Sequence, residues 1–260
     1  MRAICLAYHD VVRDRAFDSS GFEGEGPSTY KLVEDQFVRQ LDALRLSGAP
    51  VPGIVTMPEL PDPALLLTFD DGGSSAVEIA RILEGYGWRG HFFITTDRIG
   101  DKRFVSAGDL RSLAKAGHVI GSHSCSHPDP MSGRAYPELV DEWRRSRYAL
   151  ESILEVPVLS ASIPGGFYSK EVARAAENAG YQFLFTSEPR VRTWTIGGCL
   201  VFGRFMVKNG VDDSFPVRLL RSGSMERAKQ RLWWEAKKVL KAAGGNLYFR
   251  IRSRLLKNRL

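Results

Sequence analysis

Leu65-Leu66-Leu67-Thr68-Phe69-Asp70-Asp71-Gly72-Gly73 is the stretch that decides how this 260-residue chain is read. A short run of branched and aromatic residues marks a buried strand, and the glycines after it allow the sharp turn by which a strand leaves a sheet. Two carboxylates are thereby set at a strand's carboxyl end. Neighbouring residues leaving a strand point in different directions, so one carboxylate can ligate a cation while the other faces a substrate. The plainer alternative is that Asp-Asp-Gly only turns the chain and caps a helix starting near Ser74.

The same grammar continues on both sides. Strand-like runs at Ala3 to Tyr8, His91 to Thr95, Val119 to Ser122, Val158 to Ser162 and Phe183 to Thr186 alternate with segments of helical period at Glu34 to Leu46, Ala76 to Tyr86, Ala107 to Ala116, Glu138 to Leu154 and Lys170 to Ala179. Phe183 to Thr186 is expected to close the run. Such alternation implies right-handed βαβ units and a mainly parallel α/β sheet, open or rolled into a barrel, with functional side chains at the carboxyl ends of the strands. Gly21 to Ser28 and the proline-rich Pro50 to Pro63 read as loops.

A second cluster fits that expectation. In Gly121-Ser122-His123-Ser124-Cys125-Ser126-His127-Pro128 two histidines four residues apart follow a strand, and one helical turn would aim both imidazoles the same way. Neutral imidazole and carboxylate oxygen suit a divalent ion of the zinc type, and three protein ligands with open positions describe a catalytic metal site. Asp71, His123 and His127 are the candidate ligands. Either cluster alone has an ordinary explanation as a turn or a solvated loop; their co-occurrence at strand ends carries the inference.

Thr68-Phe69-Asp70-Asp71-Gly72 together with His123-Ser124-x-x-His127 resembles the first two motifs of the NodB-homology polysaccharide deacetylases, and the ordering from about Leu65 to Phe185 is similar as well, through Phe92-Phe93-Ile94, Pro164-Gly165-Gly166 and Ala179-Gly180-Tyr181. The resemblance implies a distorted (β/α) barrel of seven or eight strands, hydrolysis of a sugar N-acetyl group, Asp70 as general base, and Asp71, His123 and His127 around a divalent metal, zinc being the chemical default. An amide is a poor electrophile and an amine a poor leaving group, so this chemistry needs a Lewis acid, a base and a proton donor.

Two departures from the family pattern matter. The late Leu-x-His motif is absent, since every histidine lies at or before His127. His118 precedes a strand and His91 begins one, whereas His9 ends the first strand in Leu6-Ala7-Tyr8-His9-Asp10. This resembles the permuted poly-N-acetylglucosamine deacetylase branch, so His9 is the expected general acid, with a structural histidine as the alternative. Asp10 either orients the His9 ring or caps the loop. The third family motif begins with an arginine that steadies the base, but Ser162 stands there, ahead of Pro164, Gly165 and Gly166, which are expected to shape the sugar pocket. Trp194 is a weaker candidate to cover the acetyl group, since a lone aromatic is more often core.

Composition narrows the rest. Three widely spaced cysteines suggest no disulfide framework and a reducing compartment, no run approaches the length of a membrane span, and the first apolar run is too short for a signal peptide, so a cytoplasmic protein is expected. The formal charge of +6 is concentrated in a tail: residues 218–260 carry 13 Lys and Arg against 2 Asp and Glu, leaving the body at −5. The expected division is a barrel over 1–212 and a basic, amphipathic helical tail over 213–260, in pieces at Met225 to Ala243 and Leu247 to Leu256. The tail suits an anionic membrane surface or a solvated helix packed on the barrel, and the acidic body speaks against nucleic acid. The expected partner is an N-acetylated glycan or glycolipid. The competing readings are a carbohydrate-binding barrel that has lost turnover and another metal amidohydrolase, such as a deformylase.

Overall fold

The computed structural model describes residues 1–57, 59–128, 130–166 and 168–236. Its elements run β1 (Ala3–Tyr8), β2 (Val11–Val12), α1 (Glu25–Ser28), β3 (Leu32–Val33), α2 (Glu34–Leu46), β4 (Ala64–Phe69), α3 (Ala76–Gly85), β5 (His91–Ile94), α4 (Ala107–Lys115), β6 (Val119–Ser122), α5 (Tyr136–Leu154), β7 (Ser160–Ser162), α6 (Lys170–Asn178), β8 (Phe183–Phe185), β9 (Trp194–Ile196), β10 (Cys199–Phe202), β11 (Arg204–Met206) and α7 (Phe215–Leu220). Residues 225–236 are helical.

Nine strands form one sheet in the order β11-β1-β4-β5-β6-β7-β8-β10-β9, parallel except for β9, while β2 and β3 pair by themselves. The two ends of the sheet meet on a single run of chain. β10 pairs with β8, and β11, one residue later, pairs with β1. Gly203 is the joint, and no side chain fits there: an added β-carbon would lie 2.4 Å from the Glu188 carbonyl oxygen and 2.7 Å from that of Arg190. With β10 and β11 counted as one stave, seven parallel staves go round, the α/β architecture expected.

The alternation of side chains sorts the core into two layers. Leu6, Tyr8, Leu65, Leu67, Phe69 and Phe92 face the helices in the larger apolar cluster. Ala3, Cys5, Ala64, Leu66, Phe93, Phe185 and Phe202 fill the inside. Continuing the inward parity towards the carboxyl ends gives His9, Thr68, Asp70, His123 and Ser162, so the same period that builds the core aims the chemistry inward.

The structure departs from the sequence reading at five places. The sheet does not close at Phe183 to Thr186 but continues through β9, β10 and β11, strands of three or four residues split by Gly197-Gly198 and Gly203, too short for a period to register. β7 starts at Ser160, not Val158, because the Val158 amide is spent on the Glu151 carboxylate at 3.0 Å. α5 starts at Tyr136, two residues early, where Pro137 suits the first turn and the Glu138 carboxylate accepts the Ala135 amide. Gly21 to Ser28 holds one helical turn, α1. Past residue 212, α7 buries Phe215 and Leu219 in the larger cluster, so the barrel's packing runs on into the segment read as tail. Residues 237–243 and 247–256 of the expected tail helices lie outside the described residues.

Candidate active site

Asp70 and Asp71 leave β4 at the carboxyl end of the barrel, both buried. Asp71 sits at φ 76°, and Ser124 and His127 at 64° and 58°, three L-residues in the left-handed region where backbone strain accompanies a functional constraint. The 123–127 loop is held in this shape by its neighbours. Ser122 Oγ accepts the Ser124 amide, Ser124 Oγ accepts the His127 amide, and the Glu142 carboxylate of α5 accepts the amides of Cys125 and Ser126. The result brings together the predicted ligands: one donor atom each from Asp71, His123 and His127 lies within 4.8 Å of the others. His123 Nε2 is 3.4 Å and His127 Nε2 3.6 Å from Asp71 Oδ1. His123 Nδ1 is 3.0 Å from the Ser162 carbonyl oxygen, to which it must donate, and that fixes the tautomer whose Nε2 lone pair faces Asp71. Two nitrogens and an oxygen, with the His123 tautomer preset, fit a zinc-type ion.

The electrostatics agree. Burial pushes the Asp71 carboxyl up to about 7, with the Asp70 and Asp10 charges adding to it and His9 opposing, and burial pushes the His123 imidazole down to about 3. A carboxyl raised by burial and like charge calls for a cation, and an imidazole kept neutral is the form that ligates.

The arginine missing at position 162 arrives from elsewhere. Arg204, at the start of β11 and fully buried, donates from Nη1 and Nη2 to the two oxygens of Asp70, both at 2.7 Å. Its other donors reach Ser162 Oγ at 2.8 Å, the Thr186 carbonyl oxygen at 3.2 Å and Thr68 Oγ1 at 3.3 Å. Burial alone would raise the Asp70 carboxyl, but the charge and hydrogen bonds of Arg204, with His123 and His9 adding to them, together outweigh burial and hold it well below the usual carboxylate range. Ser162 therefore serves as an acceptor for the arginine that another strand supplies. Arg204 escaped the sequence reading although Leu200-Val201-Phe202-Gly203-Arg204-Phe205-Met206 carries the signal: a charge inside an apolar run must be paired if the run is buried.

His9 follows β1 directly and keeps its inward parity. Its ring stacks on Tyr30 at 5.0 Å between centroids, its Nδ1 is buried without a hydrogen-bond partner, and its charge acts on Asp70, Asp71 and His123. Asp10 does not orient that ring. Its Oδ1 accepts from Ser20 Oγ at 2.6 Å and Ser75 Oγ at 2.8 Å, pinning the loop after β2 to the start of α3. Buried Lys31 holds the same loop, donating to the carbonyl oxygens of Phe17, Ser20 and Phe22, and Phe22 packs on His127 at 5.0 Å.

The other histidines are structural. His91 Nε2 accepts the Val55 amide at 3.1 Å while Nδ1 lies 3.1 Å from the Leu67 carbonyl oxygen, and His118 Nδ1 accepts the Gly90 amide at 3.2 Å. Pro164, Gly165 and Gly166 form a single turn, of which only Gly165 is exposed. Gly166, at φ 65°, packs so closely on Ser187 that an added β-carbon would lie 2.4 Å from its side chain. Trp194 donates to the Tyr168 hydroxyl at 3.2 Å and lies under Arg190.

Two adjacent carboxylates and two imidazoles gathered at the carboxyl end of a parallel barrel are groups able to hold a cation and to exchange protons. Residues 58–184, just under half of the chain, match the family model described as polysaccharide deacetylase. Among curated relatives, YxkH of Bacillus subtilis is 29% identical over 126 residues, 48% of this chain and 45% of its own. A peptidoglycan-N-acetylglucosamine deacetylase of Bacillus cereus is 26% identical over 168 residues, 64% of this chain and 75% of its own. The chain thus spans about half the length of the first relative and three quarters of the second. Of solved structures, a de-N-acetylase from Aggregatibacter actinomycetemcomitans matches with a TM-score of 0.71 at 18% identity, covering 85% of this chain and 100% of that one. IcaB from Ammonifex degensii matches with a TM-score of 0.65 at 19% identity, covering 88% and 97%. These likenesses establish the fold.

Proposed function

We propose that the protein hydrolyses the N-acetyl group of an N-acetylated sugar in a polysaccharide, oligosaccharide or lipid-linked glycan, using a divalent metal, zinc by the chemistry of its donors. The observation that carries this reading is the gathering of Asp71, His123 and His127 beside a buried aspartate that Arg204 keeps ionised. A bound metal would supply Lewis acidity, polarising the acetyl carbonyl and making water acidic near neutral pH. The chain's own residues do the rest. Asp70, held far down by Arg204, is a weak base, suited to taking a proton only from an already acidic donor. Its two bonds to Arg204 leave lone pairs for that proton and fix the plane in which it is accepted. His9, which follows β1 with inward parity and keeps its buried Nδ1 free of hydrogen bonds, is assigned to give a proton to the departing amine. Gly165 offers the exposed backbone of the Pro164–Gly166 turn to the sugar.

The reading of a barrel that has lost turnover rested on the missing arginine and late histidine. Arg204 supplies that charge, and a pure binder has no use for a buried carboxylate kept ionised. The three cysteines are unpaired, which supports a reducing, cytoplasmic setting. The test is acetate release from N-acetylglucosamine oligomers, with metal content measured in the same samples. Wild type should hold metal and release acetate; His9→Gln should keep the metal and lose about 10²-fold in rate. Metal-loaded protein that releases no acetate from soluble or lipid-linked N-acetylated sugars would refute the reading.

A further inference from the structure

Helix 225–236 is fixed to the barrel by one face only. Gln230 donates to the Met206 carbonyl oxygen and accepts its amide, both at 3.0 Å, which latches the helix at the carboxyl end of β11. Arg227 donates to the carbonyl oxygens of Leu219 and Arg221 at 2.9 and 2.8 Å, and Trp234 lies against Gly166. This inner face sits on the rim of the mouth that holds the candidate site. The opposite face carries Met225, Ala228, Leu232 and Ala236 at helical spacing, all exposed, with Met225 and Leu232 each 73% and the flanking Trp233 67% open to solvent. Exposed Lys229 and Arg231 border the stripe.

Isolated apolar residues on a surface need no explanation, but a helical stripe of them with a tryptophan does. Charge identifies what covers it. The sequence after residue 236 adds eight Lys and Arg and no Asp or Glu, whereas residues 1–217 sum to −5. An anionic surface would repel the body and attract this end, so contact has one orientation. Nucleic acid would satisfy the charges but give Met225, Leu232 and Trp233 nothing to enter; an anionic bilayer takes both, apolar groups below the headgroups and cations among them.

We infer that the outer face of helix 225–236, with the basic sequence that follows it, docks on an anionic phospholipid bilayer and holds the barrel mouth at the headgroup level. Among the described residues no helix is long and apolar enough to cross a membrane. Resting on the deacetylase reading, this docking narrows the substrate to an N-acetylated sugar carried on a membrane lipid.

The experiment is flotation of the full chain with vesicles of phosphatidylcholine alone or with one third phosphatidylglycerol, at low and high salt, beside Leu232→Glu/Trp233→Glu, which touches no residue of the site. At low salt the wild type should partition at least tenfold more onto the anionic vesicles, the preference should fall with salt, and the double variant should lose at least tenfold. Equal partition onto both vesicles, no flotation, undiminished flotation of the variant, or binding to duplex DNA as tight as to anionic vesicles at the same salt would each overturn the proposal. Acetate release from soluble oligomers, measured on the same two proteins, should be equal. Its absence in both, from lipid-linked as well as soluble N-acetylated sugars, would fault the deacetylase reading and leave the flotation result standing.

Discussion

Replacing Arg204 by methionine tests most of the argument at once. The guanidinium is fully buried and makes five hydrogen bonds, two of them to Asp70 at 2.7 Å. Removing one partner of a buried pair leaves the other charge uncompensated, a loss of about 3–5 kcal/mol of stability. Asp70 escapes by taking a proton, since burial, now unopposed by the guanidinium, pushes its carboxyl up. The base is then neutral at neutral pH. Acetate release should fall by about 10²- to 10⁴-fold, and the acid limb of the pH–rate profile should move to higher pH. Arg204→Lys keeps the charge but not the fork, and should fall between. Because Arg204→Met alone could merely unfold, Arg204→Met/Asp70→Asn provides the control: with no charge left to strand, denaturant unfolding should show part of the lost stability restored, without activity. If the double variant is less stable than Arg204→Met, or if Arg204→Met keeps its acid limb in place, Arg204 does not set the charge of the base.

Three further outcomes follow. Asp71 in the metal-free protein titrates near 7, so below that pH a proton must be displaced by the incoming ion; zinc affinity should rise about tenfold per pH unit up to about pH 7 and flatten above it, and titration calorimetry showing no dependence between pH 5.5 and 7 would contradict the raised carboxyl. Gly73→Ala places a β-carbon 2.0 Å from Asp10 Oδ1 and 2.6 Å from Ser20 Oγ, so it should cost about 2–4 kcal/mol and lower metal occupancy with it, whereas Gly85→Ala, in open space on α3, should not destabilise. Burial holds His91 neutral down to about pH 4, so the unfolded chain gains the proton first: stability should decline by about 3 kcal/mol as pH falls from 6.5 to 4, and His91→Gln should flatten that slope in denaturant titrations.

The sequence made legible whatever is local. The run into Asp70-Asp71 and the period of the helices gave six strands and five helices to within about two residues, and the spacing of His123 and His127 pointed to the pair that lies beside Asp71, although on a loop with left-handed residues and not on the helical turn expected. The expectation for His9 came from its place at a strand end, and the inward parity of that place is what the structure adds. What stayed hidden is long-range. Arg204 lies 134 residues from Asp70 and on a strand too short to show its period. That Ser162 is an acceptor is visible only once another strand supplies the donor. Asp10 was open between two roles because its partners, Ser20 and Ser75, come from separate loops.

The glycine joint at position 203 has a wider meaning. The stave that completes the ring of strands is the one that delivers the guanidinium to the base, so shape and charge are settled by the same three residues of β11. One pairing of strands therefore carries two consequences: whatever loosens β11 from β1 opens the ring and at the same time withdraws the counter-charge from Asp70, leaving burial to push that carboxyl up.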